Sequence, residues 1–526
     1  MGKIVGIDLG TTYSAIAYID DNCNPQIIQN SEGENTTPST VLFGDNEVVV
    51  GTEAKKSAFM EPANFVAFAK RAMGDRSKHF SNEAGEEFSP EAISALILKK
   101  LKRDAEAALN DQIDEAVITV PAYFKDAERV ATQDAARLAG IQLINGNAII
   151  NEPTAAALAY VHMQGIVTPE TFLIYDLGGG TFDVSILSVD RDKIDVLAHS
   201  GNSRMGGFDF DNKIVEFCIG EAKKQGIDIN SDVTARQSLQ NAAEEAKKAL
   251  SKKSKTSISL YVCGRPLKIE ITREQFEDLI RPLINRTLVS MEEALDLADL
   301  EYANINKIIL VGGSTRIPLV REIITKATGI TPTNDVHEDQ AVAIGAAYHA
   351  VQLKKESVNV INTTSATAPS SPQPASPDLP PVTPYRFTDR TAHGIGVVIY
   401  DEDTGMDRNS VILLQNEKVP AESKQVFCTL EDYQASIILR VTQGEDEDIS
   451  FVTVVGECEM SLPPLPAGSP IEISVSCDAQ SVIHVRVVDL TNNRDLGEMK
   501  LDRVQNLSEE QLKAERNRLG RLNIGD

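Results

Sequence analysis

The chain has 526 residues, 42% of them apolar and 24% charged, with a formal charge of −26 at pH 7. Single cores stop growing at about 250–300 residues, so more than one domain is expected. The acidity argues against non-specific nucleic-acid binding and against adsorption to anionic membranes, while leaving room for a local basic pocket. Six scattered cysteines form no Cys-x-x-Cys pair, which indicates neither a zinc site nor a dithiol redox motif. The N-terminus enters a strand with no signal-peptide pattern, and Gly6 stands where myristoylation wants Ser or Thr. No apolar run approaches the roughly 20 residues that span a bilayer. The expected location is the cytoplasm.

In chain order, the first element is a strand at 3–6, followed by Ile7-Asp8-Leu9-Gly10-Thr11-Thr12-Tyr13-Ser14 and an alternating run at 15–19. This reads as strand, tight Gly/Thr turn, strand. Glycine lets backbone N–H groups approach an anion, and the hydroxyls add donors. An aspartate at the mouth would repel a bare phosphate, so a divalent cation is expected between carboxylate and phosphate. Lys70, in Phe68-Ala69-Lys70-Arg71, reads by itself as a solvated charge. Glu152, in Asn151-Glu152-Pro153-Thr154, sits at the N-terminal edge of an Ala-rich helix, where the dipole stabilises a carboxylate. A simple helix cap is the competing reading.

The hairpin then recurs as Tyr175-Asp176-Leu177-Gly178-Gly179-Gly180-Thr181-Phe182-Asp183. Two such turns predict two halves closing on one metal–nucleotide. Gly206-Gly207 is a further open glycine turn. Glu244, Lys247 and Ser251 are spaced to share a helix face, which can equally be a salt-bridged solvent face. Val311-Gly312-Gly313-Ser314-Thr315-Arg316 follows an apolar strand and precedes a helix near Pro318, as backbone approach to a nucleotide requires. Arg316 can stack its guanidinium on a base. Neither a P-loop nor a dinucleotide fingerprint is present.

Residues 1 to about 352 alternate strand-like and helix-like stretches, as an α/β domain does. A Pro/Ser/Thr-rich linker is expected over 353–384. An all-β sandwich follows at 385–505, from short β-branched runs at 394–400, 410–414, 425–427, 436–441, 471–475 and 483–487. One short helix closes the chain at 506–526, with Ser508 and Gln511 forming a capping box.

Taken together, Gly6-Ile7-Asp8-Leu9-Gly10-Thr11-Thr12, Val120-Pro121-Ala122-Tyr123-Phe124, Asn151-Glu152-Pro153-Thr154, Asp176-Leu177-Gly178-Gly179-Gly180-Thr181 and Val311-Gly312-Gly313-Ser314 resemble the DnaK-type heat-shock protein 70 chaperone family. That resemblance implies an actin-like, two-lobed ATPase domain that encloses ATP or ADP with Mg2+ and K+. Asp8, Asp176 and Asp183 would hold the metal through water. Gly10, Thr11, Thr12, Tyr13, Gly178, Gly179, Gly180, Gly206 and Gly207 would contact the nucleotide, chiefly its phosphates. Lys70, Glu152, Asp176 and Thr181 would be catalytic. Glu244, Lys247, Lys248, Ser251, Gly312, Gly313, Ser314, Arg316 and Asp339 would form the adenosine pocket, with Lys248 where the family commonly has an arginine. Pro121 and Arg129 match positions that relay nucleotide state between domains.

Beyond the linker, Gln425-Val426-Phe427-Cys428-Thr429 and Val441-Thr442-Gln443-Gly444 resemble the family's peptide-gripping sandwich. Val398, Phe427, Cys428, Leu430 and Ile437 would line its groove. The implied partners are extended client polypeptides, a J-domain co-chaperone and a nucleotide exchange factor, with no nucleic acid and no membrane.

Three departures stand out. The family's short, acidic, leucine-rich linker is replaced, with only Asp378-Leu379 similar to it. The long helical lid is missing, so the terminal helix reads as a truncated lid. The first lobe is shortened between Gly74 and Glu87. Coupling between ATP and peptide is therefore left open. The rival readings are an actin-fold small-molecule kinase and a nucleotide-gated scaffold or protein-docking module.

Overall fold

The structure is a computed structural model. It describes residues 2–44, 47–165, 168–190, 192–333, 337–364, 382–402, 404–478, 482–499 and 506–525. β1 (Lys3–Asp8) and β2 (Tyr13–Ile19) form the first expected hairpin, with Ile7 opposite Ile16. β3 (Val48–Val50) edges a small three-stranded sheet, and helix α1 (Thr52–Ser57) follows it. Helix α2 (Pro90–Leu109) is capped by Ser89 and buries Ile93, Leu96, Ile97 and Leu101. It leads to β4 (Ile113–Val120), an apolar run that lies parallel to β1 with Gly6 opposite Val117. A parallel strand covered on both faces requires that kind of sequence. Helices α3 (Asp126–Ala139) and α4 (Glu152–Gln164) complete the first lobe.

The second lobe repeats the plan. β5 (Glu170–Leu177), β6 (Phe182–Asp190) and β7 (Lys193–Asn202) run as an antiparallel meander. Helices α5 (Gly207–Lys224) and α6 (Val233–Leu250) pack behind it. β8 (Lys307–Val311) joins parallel to β5. Helix α7 (Ala341–Thr364) then crosses back onto β1 and α4. This crossing is tight. A Cβ on Gly345 would lie 1.7 Å from the Ala155 carbonyl oxygen, and one on Gly6 would lie 2.1 Å from the Ala347 nitrogen.

The linker differs from expectation at both ends. α7 runs through Thr364, so 353–364 is helical. Leu353 packs on the core and Lys354 pairs with Glu115, contacts that extend the helix past the expected boundary. Residues 365–381, with Asp378-Leu379, lie outside the described residues. Val382 and Tyr385 are again buried in the core shared by the two lobes. β9 (Arg386–Arg390), assigned above to the sandwich segment, adds to the second-lobe sheet parallel to β7, with Phe387 opposite Ile194.

The sandwich itself comprises β10 (Ile395–Asp401), β11 (Met406–Leu413), β12 (Ala421–Cys428), β13 (Gln434–Gln443), β14 (Thr453–Leu465), β15 (Pro470–Cys477), β16 (Ile483–Asp489) and β17 (Arg494–Met499). One sheet has the order β11-β10-β13-β14 and the other β12-β15-β16-β17. β14 and β17 escaped the sequence reading. β14 carries Pro463-Pro464 and is tolerated because it lies at a sheet edge. The capping box at Ser508 and Gln511 forms and starts α8 (Glu509–Leu519). That helix, read as the stub of a lid, lies on the first lobe against α2 and α3. Among the described residues no helix is long and apolar enough to cross a membrane.

The close crossing of α4 and α7 generates a direct expectation. Gly345→Ala forces the two helices apart and destabilises the two-lobed domain by about 1–3 kcal/mol. Urea unfolding monitored by circular dichroism measures it, as a lower midpoint at unchanged slope.

Candidate functional site

The two hairpin turns meet across one cleft. Asp8, Gly10, Thr11, Thr12 and Tyr13 of the first face Asp176, Gly178, Gly179 and Thr181 of the second, around a cavity of about 960 Å3. The floor is acidic. Lys70 occupies the short turn Ala69–Ala72, which Phe68 enters with a left-handed backbone (φ 61°). Its Nζ donates to Glu152 Oε1 at 2.6 Å, and both side chains are buried. Asp183 Oδ1 accepts from the Tyr123 amide at 2.9 Å, and Asp8 Oδ1 accepts from Thr119 Oγ1 at 3.3 Å. Burial, reinforced by Glu152, pushes Asp8 and Asp183 each up to about 7. Burial and the neighbouring carboxylates raise Asp176 well above the carboxylate range. Lys70 alone does not balance four acids, so the floor has an electrostatic preference for added positive charge.

The walls are shaped for close approach. Thr12 Oγ1 is buried with no hydrogen-bond partner. A Cβ on Gly179 would lie 1.7 Å from that oxygen, and one on Gly180 would lie 2.5 Å from Thr11 Cγ2. Gly312 has φ 82°, and a Cβ there would meet the Leu177 carbonyl oxygen at 2.4 Å. Gly206 and Gly207 back the second turn. Gly207 N donates to Gly178 O at 3.0 Å and Phe208 N to Gly179 O at 2.7 Å. Gly180 and Asp183 likewise stand behind the cavity wall, beside Gly206 and Tyr123 respectively.

At the rim, helix α6 presents Glu244, Lys247, Lys248 and Ser251 to the cavity, as one face. Lys247 Nζ donates to Asp211 Oδ2 at 2.8 Å and to Gly207 O at 3.0 Å, tying α6 to α5. Burial pushes Asp211 up to about 6. Lys248 Nζ donates to the Tyr13 hydroxyl at 2.7 Å and pairs with Glu244 at 2.9 Å. Ser251 Oγ donates to Lys247 O, and Ser314 Oγ to Gly178 O. Gly313 and Ser314 also line the cavity, and Arg316 pairs with Asp339 at 2.7 Å at its mouth.

Lys55, which the sequence did not mark, reaches across from α1. Its Nζ donates to Glu244 Oε2 at 2.6 Å and to the Tyr13 hydroxyl at 2.8 Å. Burial opposes the Glu244 charge, but Lys55 and Lys248 overcome it and hold the carboxyl down at about 2.

A second network runs from the floor to β9. Arg129 is only 8% exposed, which excludes a helix-surface charge. Its guanidinium donates to the Phe124 and Ala122 carbonyls, each at 3.1 Å, and to Asn151 Oδ1 at 2.7 Å. Ala122 directly follows Pro121 at the end of β4, and Phe124 lies in the same turn. Asn151 Nδ2 donates to Asp389 Oδ2 at 2.7 Å, and His199 Nε2 lies 2.8 Å from Asp389 Oδ1. Asn151 immediately precedes Glu152, so the strand that leads to the sandwich touches the residue beside the catalytic candidate. His199 and Asp389 had no local signal, because the contact that joins them spans 190 positions of sequence.

On the sandwich, Phe427 and Ile437 are half-buried against its core together with Ile399 and Cys458. Val398 is half-buried opposite Asn409, Cys428 is exposed, and Leu430 is 49% exposed.

A two-lobed actin-like ATPase domain with a trailing β-sandwich and a short terminal helix is the class that this fold and cleft define. A family model described as Hsp70 protein matches residues 4–364 and 387–518. The chain belongs to the Hsp70 family, whose members are chaperone-like ATPases that generally bind ATP or ADP with Mg2+, client polypeptides and co-chaperones.

The Glu244 cluster makes stability depend on pH. The folded value of about 2 lies below the ordinary 4.5, so the stabilisation is complete above about pH 4.5. It is lost as pH falls through about 2. Glu244→Gln is expected to cost on the order of 1–3 kcal/mol at pH 7, with the gap from the parent narrowing between pH 5 and pH 2. Guanidinium titrations at both ends of that range measure it.

Proposed function

We propose that the chain binds and hydrolyses Mg-ATP in the interlobe cleft, and that its sandwich holds exposed apolar segments of client polypeptides. The observation that carries the ATPase reading is the convergence of both aspartate–glycine turns on a floor where Lys70 and Glu152 form a buried pair. In this reading the glycine turns and Thr11, Thr12 and Thr181 donate to the phosphates. Asp8 and Asp176, one from each turn, with Asp183 beside them, would hold a metal through water, and their burial among like charges gives the floor its preference for a cation. Magnesium would supply charge neutralisation on the phosphates, and potassium belongs to the same proposal.

Phosphoryl transfer to water is mainly positioning and charge stabilisation. The Lys70 ammonium neutralises charge on the transferring group and orients the attacking water, and Glu152 fixes the ammonium. Glu244, Ser251, Gly312, Gly313, Ser314, Arg316 and Asp339 hold the nucleoside. Lys248 does so less well than an arginine would, because Glu244 and Tyr13 already hold its ammonium. The network through Arg129, Asn151 and Asp389 is the relay that links the floor to the sandwich.

For the sandwich, the supporting observation is uncovered apolar area. Leu430 and Tyr433, between the strands that carry Phe427 and Ile437, are exposed, Tyr433 at 81%. Extended peptide would bind by main-chain hydrogen bonds with an apolar anchor near Val398, Phe427, Cys428, Leu430 and Ile437. Action in the cytoplasm, with a J-domain co-chaperone and a nucleotide exchange factor, is part of the same reading.

Single-turnover ATP hydrolysis tests the first half. Lys70→Ala is expected to slow it by about 10²–10³-fold while fluorescent-ADP binding persists, and equal rates would remove Lys70 from the chemistry. Anisotropy of a labelled apolar heptapeptide tests the second half. Ile437→Asp should weaken binding at least tenfold, and a parent chain with no affinity would favour the docking-module reading.

A further inference from the structure

The C-terminal segment is bound to the ATPase domain along its length. Leu519 is 1% exposed, and with Leu512 it is buried in the first-lobe core beneath α2. The Arg518 guanidinium sits 3.8 Å from the centre of the Phe88 ring and donates to Glu87 O at 2.6 Å. Past the helix the chain pairs with the edge of β3. Val48 N donates to Asn523 O at 2.8 Å and Gly525 N to Val48 O at 3.0 Å. Arg103 secures the end through the carbonyls of Ile524 and Gly525, at 2.7 and 3.0 Å. Before the helix, Asn506 is buried and donates to Ala127 O at 2.6 Å.

The other end of the sandwich is attached to the second lobe. Gln352 clasps both the amide and the carbonyl of Tyr385, at 3.1 and 2.6 Å, and β9 adds to the sheet beside β7. Between these attachments the sandwich itself meets the first lobe. Gln443 Oε1 accepts from Asp126 N at 2.9 Å and so caps α3, whose own cap residue Lys125 has no acceptor. The buried His393, held neutral by burial with its value down at about 4, donates to Tyr123 O at 3.0 Å.

We propose that residues 506–525 act as an intramolecular latch that keeps the sandwich docked on the ATPase domain. The sandwich is a loop closed at both ends, on different lobes. When one attachment opens, the other holds the partner surfaces at high effective concentration, which is worth about 10²–10⁴-fold in re-closure.

Hydrogen exchange on the full chain tests this. With Leu512→Asp and Leu519→Asp combined, the β9 amides 386–390 should lose at least tenfold protection without nucleotide, while the β1 and β5 amides keep theirs. If that variant fails to fold, Arg103→Ala with Arg518→Ala leaves the apolar core intact and should give at least a threefold loss. Unchanged β9 protection in a folded variant whose 509–524 amides exchange freely overturns the latch.

Discussion

Four carboxylates, three of them buried and Asp8 half-buried, gather at the base of the interlobe cleft around the buried Lys70, and this imbalance organises the rest of the molecule. Burial raises Asp8, Asp176 and Asp183, and Glu152 adds to each. A close pair between Lys70 and Glu152 relieves only part of the repulsion. Buried charge without a partner is costly, and a protein keeps it where a ligand supplies the missing counter-charge. The glycine turns above the floor make room for phosphate, and the unpartnered Thr12 hydroxyl gives it a donor.

That floor can exist only if the two lobes stay in register. Lys55 and Glu244 bridge the top of the cleft, with Tyr13 completing the triangle. α7 crosses behind both halves so closely that Gly6 and Gly345 leave no space for a methyl group. The asymmetry is physical: the rim is joined by charged side chains that a ligand can rearrange, whereas the hinge side is joined by backbone packing that resists compression.

The sandwich is drawn into the same framework. Asp389 on β9 contacts Asn151 beside Glu152, and Gln443 accepts from the Asp126 amide at the start of α3, adding to the cap that Glu128 makes with the Lys125 amide. Each domain therefore satisfies polar groups of the other. An undocked sandwich would expose the N-terminus of α3 and break the sheet addition at β7. The terminal helix α8 is likewise part of this framework, since Leu512 and Leu519 belong to the core of the first lobe.

The elements most legible in the sequence were those whose signals are local. Both hairpins, the Ser508 box and the strand–turn–helix at 307–318 announce themselves through glycine, hydroxyl and alternating apolar residues within a dozen positions. The cleft residues on α6 were legible as one helix face, though not as a rim. β14 was obscured by Pro463-Pro464, which an edge strand tolerates. Lys55, His199 and Asp389 carried no sign of their roles, since each acts through a partner more than a hundred residues away.

What the sequence by itself determined is the pair of acidic glycine turns, the division into an α/β part and a β part, and the terminal helix. Short-range sterics and hydrogen bonding suffice for those. Only the tertiary structure decided that 386–390 extends the ATPase sheet and that the last helix lies on the first lobe. Which surface an amphipathic strand or helix covers depends on what is left uncovered elsewhere in the fold, and periodicity carries no information about that.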